Sequence, residues 1–180
     1  AMDGITDTST VSGMLRDRPW RRAIGDDWIE YAFQYAAEAD PSAKLYYNDF
    51  NLDDATKADA VVTLVKSLQE KGIRIDGIGM QGHYNTTTSI KAVENSIKKF
   101  AELGVEISVT ELDVGHYSMT GTEMTEEEEI VQAQKYAQLF QLYRKYSDVI
   151  DRVTLWGIDE ATSWRAENCP LIFEQDYQPK

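Results

Sequence analysis

Val105-Glu106-Ile107-Ser108-Val109-Thr110-Glu111-Leu112-Asp113 reads as a buried strand whose end delivers a lone carboxylate, Glu111. Ile107, Val109 and Glu111 recur at a spacing of two, so all three are expected on one strand face. A carboxylate there is desolvated unless a polar group faces it. Three other apolar runs also end in polar or aromatic groups, at Tyr47-Asn48, at Gln81 through His83 and at Trp156. Four strands therefore end in chemistry.

Outward from that strand the periodicity alternates. Ile29, Ala32, Phe33 and Ala36 follow helical spacing after Gly25-Asp26-Asp27, a capping cluster. Lys44 to Asn48 reads as a short strand, followed by Ala58, Val61, Val62, Val65 and Leu68 as a helical stripe stopped at Gly72. Gly77 to Gln81 is the next strand, and Ile90, Val93, Ile97 and Phe100 the next stripe, stopped at Gly104. After the strand Glu106 to Glu111, Thr125 and Glu128 form a capping-box signature for a long helix expected to carry Ala133, Tyr136, Ala137 and Phe140 inward. Arg152 to Trp156 closes the series. Strands alternating with helices imply parallel pairing through right-handed crossovers, in a doubly wound sheet or in part of an eight-fold barrel. No Gly-rich phosphate loop follows any strand, which lowers the weight of a nucleotide-binding doubly wound fold. In a barrel, active groups come from the carboxyl ends of several strands, where the polar residues collect here.

The 180 residues, 42% of them hydrophobic, are enough for one domain with a core, and residues 1–180 are read as a single unit with no second domain. No segment is apolar for long enough to span a bilayer, so no membrane is expected. The net charge of -13 argues against nucleic acid, whose phosphates need clustered Lys and Arg. A neutral polysaccharide fits better: 11% of residues are aromatic, including four Trp and ten Tyr, a supply of flat surfaces for sugar rings. Cys169 is the only cysteine, so no intrachain disulfide forms. Ala1-Met2-Asp3-Gly4 has neither the basic start nor the apolar core of a signal peptide.

Gln81 and His83 can hydrogen-bond a carboxylate or a sugar hydroxyl, although a lone His is more often a satisfied core residue. Asp113 follows Glu111 by two on the same strand, which suits a supporting role; two carboxylates flanking a bond must approach it from opposed directions. Trp156 and Trp164 bracket the polar loop 157–163; they either cap the core or wall a binding site, and two around one loop favour the wall. His116 is taken as a surface residue, and Glu126 to Glu129 as a first helical turn whose acids complement the macrodipole. Asn85-Thr86-Thr87 fits the glycosylation acceptor pattern. Two distant His and no Cys pair offer no metal-ligand spacing, so neither metal nor cofactor is expected.

Five segments, in this order and spacing, resemble the second half of a family 10 glycoside hydrolase, the endo-1,4-beta-xylanases with an eight-fold barrel. They are Leu15-Arg16-Asp17-Arg18-Pro19-Trp20, the run from Asp40 to Asn51 ending Tyr46-Tyr47-Asn48-Asp49-Phe50-Asn51, Gly77-Ile78-Gly79-Met80-Gln81-Gly82-His83, Val109-Thr110-Glu111-Leu112-Asp113 and Val153-Thr154-Leu155-Trp156-Gly157. The resemblance implies a (β/α)8 TIM barrel of which this chain supplies strands five to eight. It implies a retaining xylanase acting on xylan or xylo-oligosaccharides, with Glu111 as nucleophile, His83 hydrogen-bonded to it and Asp113 supporting His83. Asn48 and Gln81 would contact sugar, Tyr47 would line the leaving-group side, and Trp156 and Trp164 the glycone side. A secreted or periplasmic enzyme would follow from the same resemblance.

Two departures stand out. Position 160 is Glu, beside Asp159, where the family usually has Asp. The family's general acid/base is the Glu of a Trp-Asp-x-x-Asn-Glu motif ending the fourth strand, and this chain contains no Asn-Glu pair; Ala1-Met2-Asp3 resembles what directly follows that motif. The acid/base is thus expected in a first half, present as another chain or an upstream segment, and this chain by itself is expected to be nearly inactive. The rival readings are a non-catalytic carbohydrate-binding module and a self-contained doubly wound interaction domain.

Overall fold

The structure, a computed structural model, describes residues 4–5, 15–116, 124–174 and 176–180. Two helices, α1 (Pro19–Ile24) and α2 (Trp28–Ala39), precede β1 (Tyr46–Asp49); then come α3 (Ala55–Glu70), β2 (Gly77–Met80), β3 (His83–Asn85), α4 (Ile90–Ala101), β4 (Glu106–Gly115), α5 (Glu126–Lys145) and β5 (Ile150–Leu155). Two single 3-10 turns, Glu160–Thr162 and Ala166–Asn168, follow. The helices start where short polar side chains satisfy free N–H groups. Asp54 accepts from Lys57 N, Ser89 from Ala92 N, and Thr125 and Glu128 form the expected reciprocal capping box. Asp27 precedes α2 but makes no side-chain cap, and Asp26 instead pairs with Arg21. The helix α1, begun by Pro19 in its first turn, had no apolar periodicity to announce it.

All strand pairs are parallel. β1 pairs with β2, while β2, β3 and β5 all pair with β4. β2 and β3 lie one beyond the other along β4, so they are two lengths of one strand interrupted at Gln81-Gly82. The spatial order thus equals the chain order, with no reversal. Right-handed crossovers that always advance in one direction put every helix on the same face, and α3 indeed packs on α4 and α4 on α5. A doubly wound sheet needs a point where the order reverses, and among the described residues there is none.

Between helices and sheet lies one core: Tyr47, Ile78, Met80, Ile107 and Val109 from the strands against Val61, Val65 and Leu68 of α3 and Val93, Ile97 and Phe100 of α4. Each fully buried side chain of this size contributes about 1.5–3 kcal/mol. The other sheet face carries Tyr46, paired across to Gly77 and Glu106, and Asn48, paired across to Gly79 and Ser108. Tyr46 and Lys44 both bond to Glu106.

The long helix α5 turns a different side to the sheet than the spacing of its alanines predicted. Gln132, Tyr136, Leu139 and Tyr143 are buried, whereas Ala133, Ala137 and Phe140 are exposed. Two hydrogen bonds fix the rotation: Gln132 Nε2 donates to Val114 O (2.7 Å) and Tyr136 Oη to Pro170 O (2.6 Å). β5 is an edge strand, with Asp151, Arg152 and Thr154 exposed.

Candidate active site

Strict alternation along β4 would send Glu111 to the helix side with Ile107 and Val109. The pairing of β4 with β5 is irregular between Val109 and Leu112, and such a bulge re-aims the residues beyond it. Thr110 and Glu111, consecutive in the chain, consequently both reach Asn48. Thr110 Oγ1 donates to Asn48 Oδ1 (2.7 Å), and Asn48 Nδ2 donates to Glu111 Oε1 (3.1 Å). The expectation that Glu111 shares a face with Ile107 and Val109 is therefore corrected by the bulge, which brings Glu111 round to the face of Asn48.

The neighbouring strand breaks at the same level. Gly82 has φ +82°, a left-handed conformation that other residues adopt at a cost, and β3 restarts at His83. His83 pairs in register with Asp113. Its Nε2 lies 3.2 Å from Glu111 Oε2 and its Nδ1 3.1 Å from Asp113 Oδ1. A neutral ring donates to one of these carboxylates and an imidazolium to both. Asp113 is completely buried inside β4, which runs four residues past the expected end at Glu111. Its Oδ2 accepts from Trp164 Nε1 (2.8 Å), and Arg165 Nη2 pairs with its Oδ1. Gln81 O accepts from Glu111 N (2.8 Å), locking the two strand ends together.

These side chains border an open cleft of about 590 Å3 at the carboxyl ends of the strands. Gln81, His83, Glu111, Trp156 and Trp164 line it, joined by Phe50, Asn51 and Arg165, which the sequence did not single out. Trp156 and Trp164 are 45% and 61% exposed, so neither caps the core. Both stand edge-on to the His83 ring, with centroids 6.4 and 5.0 Å away.

Tyr47 does not join them. Adjacent residues of a strand face opposite ways, so with Asn48 at the cleft Tyr47 lies on the helix side, 1% exposed. Its hydroxyl donates to Asp49 Oδ2 (2.6 Å) and accepts from Gly4 N (3.0 Å), while Lys57 Nζ meets Asp49 Oδ1 at 3.0 Å. Burial first, and the Asp49 charge second, push the Tyr47 phenol well above its ordinary pKa, so it stays a donor. His116 is also less exposed than expected: its side chain is 13% exposed and its backbone N–H donates to Asn168 O (2.9 Å). Glu160 is buried as a loop brace, accepting from Leu171 N (3.0 Å) and pairing with Lys180. Asp159 caps the same turn by accepting from Thr162 N (3.1 Å). The side chain of Asn85 is engaged within its own turn by Thr87 N (2.8 Å) and Thr87 Oγ1 (2.6 Å). Among the described residues no group of three or more His, Cys, Asp or Glu side chains is placed to hold a metal ion.

The family model of Glycosyl hydrolase family 10 matches residues 3–180. An endo-1,4-beta-xylanase A of Thermotoga neapolitana is 49% identical over 173 residues, which are 92% of this chain and 16% of that protein. The fold superposes with a TM-score of 0.90 on a psychrophilic glycoside hydrolase family 10 endo-beta-1,4-xylanase, 38% identical, covering 99% of this chain and 56% of that one. It superposes equally well, at 40% identity and over 99% of this chain and 53% of that one, on an intracellular xylanase of Thermoanaerobacterium saccharolyticum. A variant of that enzyme was solved with xylotriose. The chain thus spans about half of the solved xylanases it resembles and a smaller part of the Thermotoga protein, and its strands form part of a (β/α)8 barrel. The expectation of a secreted or periplasmic enzyme is overturned, because a relative this similar is intracellular and family likeness therefore fixes no compartment. Since the matched span runs through every strand described, the chain belongs to glycosyl hydrolase family 10.

Proposed function

We propose that residues 1–180 are one unit, the second half of a retaining endo-1,4-beta-xylanase barrel that cuts xylan with Glu111 as nucleophile. The observation carrying this reading is the holding of both Glu111 oxygens, Oε1 by Asn48 Nδ2 and Oε2 by His83 Nε2, at the floor of an aromatic cleft. A carboxylate gripped in this way cannot rotate away from a sugar above it, and its lone pairs stay available. Asp113 keeps the His83 ring in plane, Asn48 and Gln81 meet sugar hydroxyls, and Trp156 and Trp164 stack on sugar faces.

In the first step Glu111 attacks the anomeric carbon while the bond to the leaving oxygen breaks, that oxygen taking a proton from an acid. Water then hydrolyses the glycosyl ester, returning the carboxylate and giving net retention. Among the described residues lining the cleft, Glu111 is the only carboxylate. The proton donor therefore belongs to the first half of the barrel, about 5–5.5 Å from Glu111 as retention requires. Without it, hydrolysis loses the roughly 10² to 10⁴-fold that proton transfer contributes. That single carboxylate also favours a second reading, sugar binding without turnover.

Labelling separates the two. A 2-fluoro-xylobioside with a leaving group that needs no proton is expected to esterify Glu111, seen as a mass increase on the peptide containing it. Quenched Trp fluorescence with no adduct would instead establish the binding module.

A further inference from the structure

Arg165 follows Trp164 in the loop after β5, in a position that no periodicity or motif marks. Its side chain is 3% exposed, and Nη2 meets two partners at once, Asp113 Oδ1 and the backbone Tyr84 O at 2.7 Å. Asp113 is itself fully buried and is shared three ways: Oδ1 faces Arg165 and His83 Nδ1, and Oδ2 accepts from Trp164 Nε1. The guanidinium lies close against Gly115, where a Cβ would come within 3.3 Å of both its Cζ and Nη1. One cation, one anion and a glycine floor thus fix the far end of the line that runs through His83 to Glu111.

Arg165 matches the Asp113 charge inside the protein, so the carboxylate that meets His83 Nδ1 is compensated from its other side. Truncating one member of a buried pair leaves the other uncompensated, and here the uncompensated group would be the carboxylate that orients His83.

We propose that Arg165 is a positioning residue for Glu111, acting through Asp113 and His83. The inference rests on Glu111 being the nucleophile.

The test uses the complete barrel, both halves present, and the rate of Glu111 labelling by the 2-fluoro-xylobioside, a step that needs no external proton. Arg165→Met is expected to slow labelling by about 10- to 100-fold, the range typical of outer-shell partners, with an unchanged concentration for half-maximal rate. Arg165→Lys keeps the charge on a shorter side chain without the planar fork, and it should recover a large part of the rate. Should Arg165→Met fail to fold, the Lys variant decides alone, with an expected slowing of about 3- to 10-fold, intermediate on the same scale. Either folded variant labelling as fast as the parent would overturn the inference. If the parent itself acquires no adduct, the assignment of Glu111 fails, and this inference with it.

Discussion

The two lengths of β4 differ in how they obey the sheet. From Glu106 to Val109 every second side chain points into the helix-side core, Ile107 and Val109 being fully buried, and the register with β2 is unbroken. From Thr110 to Gly115 the period of two is interrupted. Thr110 and Glu111 reach the same asparagine, and Asp113 bonds a histidine that begins a new strand length. The regular length stabilises the fold and the irregular length gathers polar groups at the cleft. A bulge is what lets one strand do both, because it converts a buried apolar row into an inward carboxylate within two residues.

That contrast is broken most sharply by a pair of substitutions in the complete barrel. Glu111→Gln keeps shape and hydrogen-bonding capacity but removes the attacking charge, so kcat on xylan should fall by on the order of 10⁴-fold or more, with a melting midpoint close to the parent's. Val109→Ala, two residues earlier, should do the reverse. It costs on the order of 2 kcal/mol from lost burial and the cavity left behind, read as a lower urea midpoint, and leaves kcat per folded molecule within a few-fold. Equal effects of the two on activity would erase the distinction between the lengths.

A smaller effect tests the break in the neighbouring strand. At Gly82, φ +82° charges any Cβ about 1–2 kcal/mol, and an added Cβ would lie 3.1 Å from Val109 Cγ1. Gly82→Ala should therefore lower stability by about that amount and, by disturbing where β3 restarts, reduce labelling of Glu111 as well. A loss of stability with an unchanged labelling rate would mean that the break does not position His83.

Much of the fold was legible because its signals are local. The alternation of strands and helices and the Thr125–Glu128 box appear as expected, although β4 runs past Glu111 to Gly115, and Asn48, Gln81, His83, Glu111 and Asp113 come together. What escaped depends on long-range geometry. A bulge leaves no mark in Val109-Thr110-Glu111 itself, so strict alternation along the strand misplaces Glu111 on the helix face. Tyr47 and Asn48 could not both face the cleft, and only the pairing with β2 decides between them. Arg165, 52 residues beyond Asp113, has no spacing relation to it. The rotation of α5 turned on Gln132, a polar residue buried because it satisfies two carbonyls, Val114 O and Cys169 O, while alanines are indifferent to burial.

The same division appears in how charge is handled, and it yields the smallest effect. At the cleft, Asp113 is matched within the protein interior. At the α4–α5 seam, Glu94 gathers Lys145 (2.8 Å), Lys98 (3.3 Å), Lys91 (3.7 Å) and the Tyr146 hydroxyl (2.8 Å) close to solvent. The hydrogen bond from Lys145, then those from Tyr146 and Lys98, pull its carboxyl down to about 2. A folded-state value below the unfolded one means that the unfolded chain binds the proton first as pH falls. The stabilisation from Glu94 is therefore fully present above the ordinary value of 4.5 and is lost as pH falls from there toward about 2. Glu94→Gln should lower the urea midpoint slightly at pH 6, and the gap from the parent should narrow through pH 3 and close only as pH approaches about 2. The expected size is small, since exposed pairs contribute little and are screened by salt, so the gap at pH 6 should also shrink in 1 M NaCl. A gap that persists unchanged at pH 3 would assign the effect to packing of the side-chain stem on α5 and not to charge.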